Sequence, residues 1–300
     1  MLFRSKVEGR IAIMSCAVDI DDWEQCLEYA TKSPHRIPAI GIHPWYVESV
    51  LTTTNNCSDV VQKNDTDLHN TKATTWWLDK LENLLQLHPG CMVGEIGLCK
   101  VARFIRTYNG GKQVALRIQR HMFNQQLLLA AKYGRPVSIH CVNQHNVLLE
   151  IFNSLQQHSD GDHSQIPPAM ALHSYTGTVH HVQTLLRWET QVRKCQKSTS
   201  TDPLIYFGFS HSVNYIMCTS TKAKRQGMET LRSIPRNRIL IESDVHCSDH
   251  VPLGAAGTVA YIAHVLNESI ETVVALTTQN GLRFFSTIKF EGTKLAYTNK

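Results

Sequence analysis

The chain has 300 residues, 42% hydrophobic and 18% charged, so it can bury a sizeable core and is not disordered, coiled-coil or collagen-like. It has no run of about 18 apolar residues that would cross a membrane, and Met1 to Cys16 lacks the apolar stretch and cleavage site of a signal peptide. A net charge of +5 permits a polyanionic partner, and nine cysteines without a Cys-x-x-Cys pair read as reduced thiols of an intracellular protein, not a disulfide framework or zinc ribbon.

Seven short apolar, β-branched runs recur along the chain: Arg10 to Ser15, Ile37 to Ile42, Cys91 to Ile96, Pro136 to His140, Ala169 to His173, Leu204 to Phe209 and Arg238 to Ser243. They do not alternate cleanly, which suits strands of a parallel sheet buried on both faces. Between them, helices are predicted at Trp76 to Leu87, at Val179 to Trp188 and at Val259 to Leu266. Another, with Val114, Ile118, Met122 and Leu129 at helical spacing, ends at Tyr133, just before Gly134 and Pro136. The result is a βαβ pattern, and the later runs begin about 33 to 35 residues apart, one βα unit each. Polar stretches at Thr52 to Thr75 and Gln191 to Pro203 read as surface insertions. No repeat or linker divides the chain, so residues 1–300 read as one domain.

An open doubly wound sheet and a (β/α)8 barrel both fit this pattern. No G-x-G-x-x-G follows the first run, which weakens the dinucleotide-binding form. Glu95, His140, His173 and Asp244 each close a different apolar run, the end where barrel enzymes carry their chemistry. The fold expected is therefore an α/β, TIM (β/α)8-type barrel. Seven runs are one strand short, so the first strand is missing or atypical, and its natural place would precede Met1.

Sixteen histidines are a large share of such a chain. Two imidazoles and two carboxylates are an ordinary ligand set for a divalent ion. A carboxylate such as Glu95 can bridge two ions, and Asp244 can bind metal or take a proton from water. Singly, each residue could merely cap a strand on backbone; four at equivalent strand ends make a site.

The blocks Gly41-Ile42-His43-Pro44, Val93-Gly94-Glu95-Ile96-Gly97-Leu98, Ile139-His140-Cys141, Leu172-His173-Ser174-Tyr175-Thr176-Gly177 and Ile241-Glu242-Ser243-Asp244 occur in this order. With Gln126-Leu127, Gly134-Arg135-Pro136 and Thr277-Thr278-Gln279-Asn280, the set resembles the signature of the TatD family of metal-dependent deoxyribonucleases across roughly residues 10 to 286. The resemblance implies a (β/α)8 barrel that cleaves DNA phosphodiesters through a metal-activated water, as an exonuclease or 3′-end trimming enzyme. It implies Glu95, His140, His173 and Asp244 as ligands of one or two divalent ions (Mg, Mn or Zn), with Glu95 and Asp244 catalytic. His43 would line the pocket and touch a substrate phosphate, or else be a turn residue beside Pro44.

The chain departs from the pattern in four places. No first-strand His-x-His precedes Arg10, which puts a full two-metal site in question. Cys99 stands where the family has Asp. No proline follows Asp244, and His246 there is either an extra contact or a loop residue. Ser174 replaces a common Cys.

Lys100, Arg103, Arg106, Lys112, Arg117 and Arg120 occupy a segment without an acidic residue that begins just past Glu95. Basic charge beside a metal site attracts a phosphodiester backbone. A second basic stretch runs from Arg193 to Lys197; Lys222, Lys224 and Arg225 form a third, expected to be a solvated helix face. Trp45 and Tyr46 either stack on single-stranded bases or pack on the barrel end. The expected partner is DNA, single-stranded or at ends, read without sequence specificity, in the cytoplasm or nucleus and away from membranes. Two rivals remain: a hydrolase of small esters or amides on the same barrel, and a catalytically impaired member acting as a binding or scaffold protein.

Overall fold

The computed structural model describes residues 13–52, 72–157, 165–196 and 199–288. Its seven strands are β1 (Ile13–Cys16), β2 (Arg36–Ile40), β3 (Met92–Cys99), β4 (Val137–Val142), β5 (Met170–Leu172), β6 (Ile205–Ser210) and β7 (Ile239–Glu242). They pair in parallel and in strict chain order. Sequential order is the winding of a barrel, whereas a doubly wound sheet reverses direction. The sheet is a curled half-barrel whose edges, among the described residues, are β1 and β7.

The flanking helices are α1 (Trp23–Thr31), α2 (Val47–Thr52), α3 (Lys72–Leu87), α4 (Arg103–Thr107), α5 (Lys112–Lys132), α6 (His145–Gln157), α7 (Val179–Cys195), α8 (Thr221–Ser233), α9 (Val251–Leu266) and α10 (Ile270–Phe285). Both predicted insertions need correction. Lys72 to Thr75 are already helical in α3, and residues 53–71 lie outside the described ones. α7 runs on through Cys195 because Val192 is buried and Arg193 reaches back one turn to Glu189, 3.1 Å away. No single helix among the described residues is long and apolar enough to cross a membrane.

Alternating strand residues face opposite sides of the sheet. Ile37, Ala39, Met92, Ala171, Tyr206 and Leu240 pack together on one side, closed by Phe284 and Ile288 from the end of the described chain. Val93, Ile96, Ile139, Leu172, Phe207 and Ile239 face the other way, into the larger cluster with the helices. In β3 both Met92 and Glu95 lie on the inner side, an odd separation that needs the register irregularity between Val93 and Ile96. That bulge shifts the pleat by one residue and aims the Glu95 carboxylate inward. Two residues on, a Cβ at Gly97 (φ +150°) would collide with the carbonyl oxygen of His140, so glycine lets β3 and β4 close up behind the site.

Candidate metal centre

The site sits at the C-terminal strand ends, and α5 holds two of those ends from behind. The Gln126 side-chain carbonyl accepts from Ile42 N–H (2.6 Å), and its amide donates to Ile42 O (3.3 Å). Two turns earlier on α5, Gln119 accepts from Cys99 N–H (2.9 Å) and donates to Pro44 O (3.2 Å). These buried amides satisfy backbone groups where the ladders of β2 and β3 run out. His43 is fixed further by its own N–H, which donates to Val18 O (2.9 Å).

Glu95 is the hub. Its Oε1 lies 3.1 Å from His140 Nδ1 and 3.4 Å from His43 Nε2, and its Oε2 lies 3.9 Å from His173 Nε2. His173 Nε2 is also 3.3 Å from Asp244 Oδ1, while His173 Nδ1 is 3.1 Å from Glu242 Oε2. Ser174 donates its backbone N–H to Glu242 (2.8 Å) and its hydroxyl to Asp244 Oδ2 (3.0 Å), and the Ser210 hydroxyl lies 2.8 Å from that of Ser174. Asp244 is the most open carboxylate, with 28% of its side chain accessible.

Burial alone would push the Glu95 carboxyl up, but His173, His140 and His43 around it hold it well below the usual range. Burial likewise opposes charge on His173, yet Glu242, Glu95 and Asp244 raise its pKa well above that of a free imidazole. For His43 burial wins and the pKa falls. Its Nδ1 accepts from the Trp45 backbone N–H (3.2 Å), so the proton of the neutral ring sits on Nε2, facing Glu95. Asp244 is held below its normal range because the facing His173, seconded by the Ser174 hydroxyl, outweighs burial.

These residues suit a divalent cation. Donor atoms of His43, Glu95 and His140 lie within 4.8 Å of one another, a nitrogen and carboxylate set common to zinc and manganese sites. The Glu242 carboxylate accepts a hydrogen bond from His173 Nδ1–H and turns Nε2 toward Glu95 and Asp244, the carboxylate–histidine pairing that orients metal ligands. His140 Nε2 is buried without a hydrogen-bond partner.

The structure joins Glu95, His140, His173 and Asp244 into one connected chain and adds His43 to the tightest donor group. Trp45 stands on the rim, 53% exposed, packed edge-on against His43 (5.3 Å, 84°) with its indole N–H on Cys99 Sγ (3.2 Å). Cys99 is thus beside the centre; burial would raise its pKa, but His140 and Trp45 lower it. Arg103 is exposed at the start of α4, four residues past Cys99, and Lys100, Arg106 and Lys112 are exposed nearby. Arg120 is engaged with Glu150 at 3.0 Å. The Arg193 stretch belongs to the last turn of α7, at the opposite end of the sheet, and is not part of the rim. His246 is exposed in the loop past Asp244. Gln119, Ser210 and the role of Glu242 were not foreseen. Glu242 could have been found by period-two reasoning, since it lies two residues before Asp244 on the same strand end.

A curled parallel barrel sheet with histidines and carboxylates gathered at its C-terminal mouth has the layout of a barrel protein with a candidate metal centre. The chain belongs to the TatD related DNase family, whose family model matches residues 2–286. It is 25% identical over 267 residues to the Cut9-interacting protein scn1 of Schizosaccharomyces pombe, covering 72% of this chain and 73% of that one. It is 26% identical over 220 residues to the human 3′-5′ RNA nuclease TATDN2, covering 68% of this chain but only 24% of that protein. Among solved structures, YJJV, a TatD homologue from Escherichia coli, superposes with a TM-score of 0.60 at 17% identity over 91% of this chain and 86% of its own. An uncharacterized amidohydrolase from Saccharomyces cerevisiae gives 0.63 at 14% identity over 90% and 87%. At these identities the structures speak for the fold alone.

Proposed function

We propose that this chain is a metal-dependent phosphodiesterase that trims nucleic-acid strands from an end, with single-stranded DNA as the leading substrate. The observation that carries this reading is the unbroken chain Asp244–His173–Glu95–His140, with His43 beside it, at the mouth of the half-barrel. Glu95, His140 and His173, with His43 or Asp244, would hold one or two divalent ions. Bound there, such an ion would supply Lewis-acid activation of water and charge neutralisation at phosphorus. Asp244 is ionised, the most accessible carboxylate of the centre, and held by Ser174, which suits it to accept the proton of the attacking water. Exposed Lys100, Arg103, Arg106 and Lys112 would steer the backbone of the strand, and Trp45 offers a ring to a base. None of these contacts reads base edges, so cleavage would be indifferent to sequence. The free thiols of all eight described cysteines suit a reducing, intracellular setting.

The test combines metal content by elemental mass spectrometry with cleavage of end-labelled DNA and RNA oligonucleotides in Mg, Mn or Zn. Wild-type protein should carry metal and shorten strands from one end, and Glu95→Ala should lose both properties. Full activity in Glu95→Ala would sink the assignment. A second reading, a protein-binding member without catalysis, is favoured by the name of the fission-yeast relative, a Cut9-interacting protein. Failure of the wild type to bind metal after incubation with all three ions would put that reading first.

A further inference from the structure

β6 leaves the centre at Ser210, whose hydroxyl is 3.4 Å from Asp244 Oδ2. The chain then makes a π-helical turn, Ser212–Ile216, before α8. Turns of this kind are rare and recur at functional sites. Asn214 ties the turn to the centre, accepting from Ser210 N–H (2.8 Å) and donating to Tyr175 O (2.9 Å).

The outer surface of this turn is largely exposed, though the Tyr215 ring meets that of buried Tyr261 at 6.0 Å. Tyr215, Ile216 and Met217 are 46%, 62% and 71% exposed. The Tyr215 ring is nonetheless oriented. It stacks on the His211 imidazole at 5.2 Å and 15°, and His211 is fixed by its backbone N–H on Thr258 Oγ1 (2.9 Å). Lys224 of α8 holds its ammonium 4.6 Å from the Tyr215 centroid, Lys222 is exposed nearby, and Arg225 pairs with Glu229 at 3.6 Å.

We infer that His211, Tyr215 and Lys224 form a nucleotide subsite that takes an unpaired base of the strand flanking the phosphodiester held at the metal centre. This inference rests on the nuclease reading above and extends it. An exposed aromatic ring backed by a second ring gives any base a stacking surface. Lys224 is a flexible cover on that ring: a base takes its place, and the freed ammonium pairs with the adjoining phosphate. Positive charge around an exposed apolar turn favours a polyanion that also carries flat apolar faces, which is a single strand. Trp45 approaches the centre from the end of β2 and Tyr215 from the end of β6, so the strand runs across the mouth between two aromatic residues. The sequence gives Lys222, Lys224 and Arg225 only as a helix face; the fold brings Lys224 onto a ring of the turn that follows β6.

The experiment uses the full chain loaded with its divalent ion, fluorescent single-stranded DNA and RNA oligonucleotides, and a small chromogenic phosphodiester too short to reach Tyr215. Tyr215→Ala should weaken oligonucleotide binding about tenfold, the scale of one base–aromatic stack. The ratio of kcat/KM on oligonucleotide to that on the small diester should fall by the same factor. Tyr215→Phe keeps the ring and should stay near wild type. Lys224→Gln should flatten the dependence of log Kd on log salt by about one unit. The DNA and RNA arms show which strand the subsite prefers. Wild-type binding and ratio in Tyr215→Ala would overturn the subsite and leave the nuclease reading standing. A wild type that cuts the small diester but neither binds nor cuts oligonucleotides would overturn both.

Discussion

Two clusters of buried charge lie at opposite ends of the sheet and are built on opposite rules. At the N-terminal strand ends Glu189, 2% exposed, is gripped on both oxygens by Arg238, with Arg238 Nη2 3.1 Å from Oε1 and Nη1 on Oε2. It also accepts from Arg193 Nε (3.1 Å) and Ile205 N–H (3.2 Å), and Arg238 donates to Ile205 O (3.0 Å). Burial would raise the Glu189 carboxyl, but Arg238 holds it below the usual range. At the C-terminal ends, Glu95, Glu242 and Asp244 face imidazoles, hydroxyls and backbone N–H groups, and no lysine or arginine pairs with them among the described residues. The first cluster is closed, with a fixed positive charge for its carboxylate. The second neutralises its carboxylates with imidazole protons, which a cation can replace. That difference separates a structural anchor from a candidate reaction centre.

The largest effect should come from the closed cluster. Glu189→Ala leaves two guanidinium groups without their counter-ion and should cost about 3–5 kcal/mol of stability in denaturant unfolding, with metal content per folded molecule unchanged. A loss under about 1 kcal/mol, the worth of an exposed pair, would show that the cluster is no anchor.

Glu242→Gln should show the reverse profile. It removes the charge that orients His173, so metal affinity in a chelator competition should fall about 10- to 100-fold, with little movement in Tm. Equal losses of stability and metal affinity would erase the contrast between the two ends.

An effect seen only on acidification concerns a histidine on the same rim that has no carboxylate. His145 stacks on His181 (4.7 Å) and meets Tyr175 edge-on (5.6 Å), and burial, seconded by His181, pushes its pKa from 6.5 down to about 4. The folded protein keeps His145 neutral while the unfolded chain already binds a proton near 6.5. Stability is therefore full above about pH 6.5 and drains as pH falls toward 4, by at most about 1.4 kcal/mol per unit. His145→Phe should flatten the Tm profile in that window. An unchanged profile would mean that the imidazole is charged in the folded state.

Much of this was legible in the residues. The apolar runs mark the seven strands to within a few positions, because strands buried on both faces must be apolar without interruption. His140, His173 and Asp244 stand out as polar groups at or just past the ends of such runs, whereas Glu95 proves to lie within β3, four residues before its end, and stands out as a charged residue in a buried strand. Helices with few buried residues were not legible: α8 buries only Thr230 and Leu231 and owes its start to the Ser220 cap on Ala223 N–H (3.1 Å).

The sequence by itself determined a parallel α/β fold and the polar residues near its strand ends, because those features follow from local hydrophobic pattern and residue chemistry, while the TatD type rested on the resemblance of its ordered motif blocks. Only the tertiary structure decided that Glu95 points inward, since a bulge reset the pleat of β3. Only it decided that His43 joins the donor group, that Glu242 orients His173, and that Tyr215 and Lys224 meet on the turn that follows β6. Each of these depends on register between strands or on the meeting of distant segments, and the free energy that fixes such contacts comes from neighbours that a linear reading does not bring together.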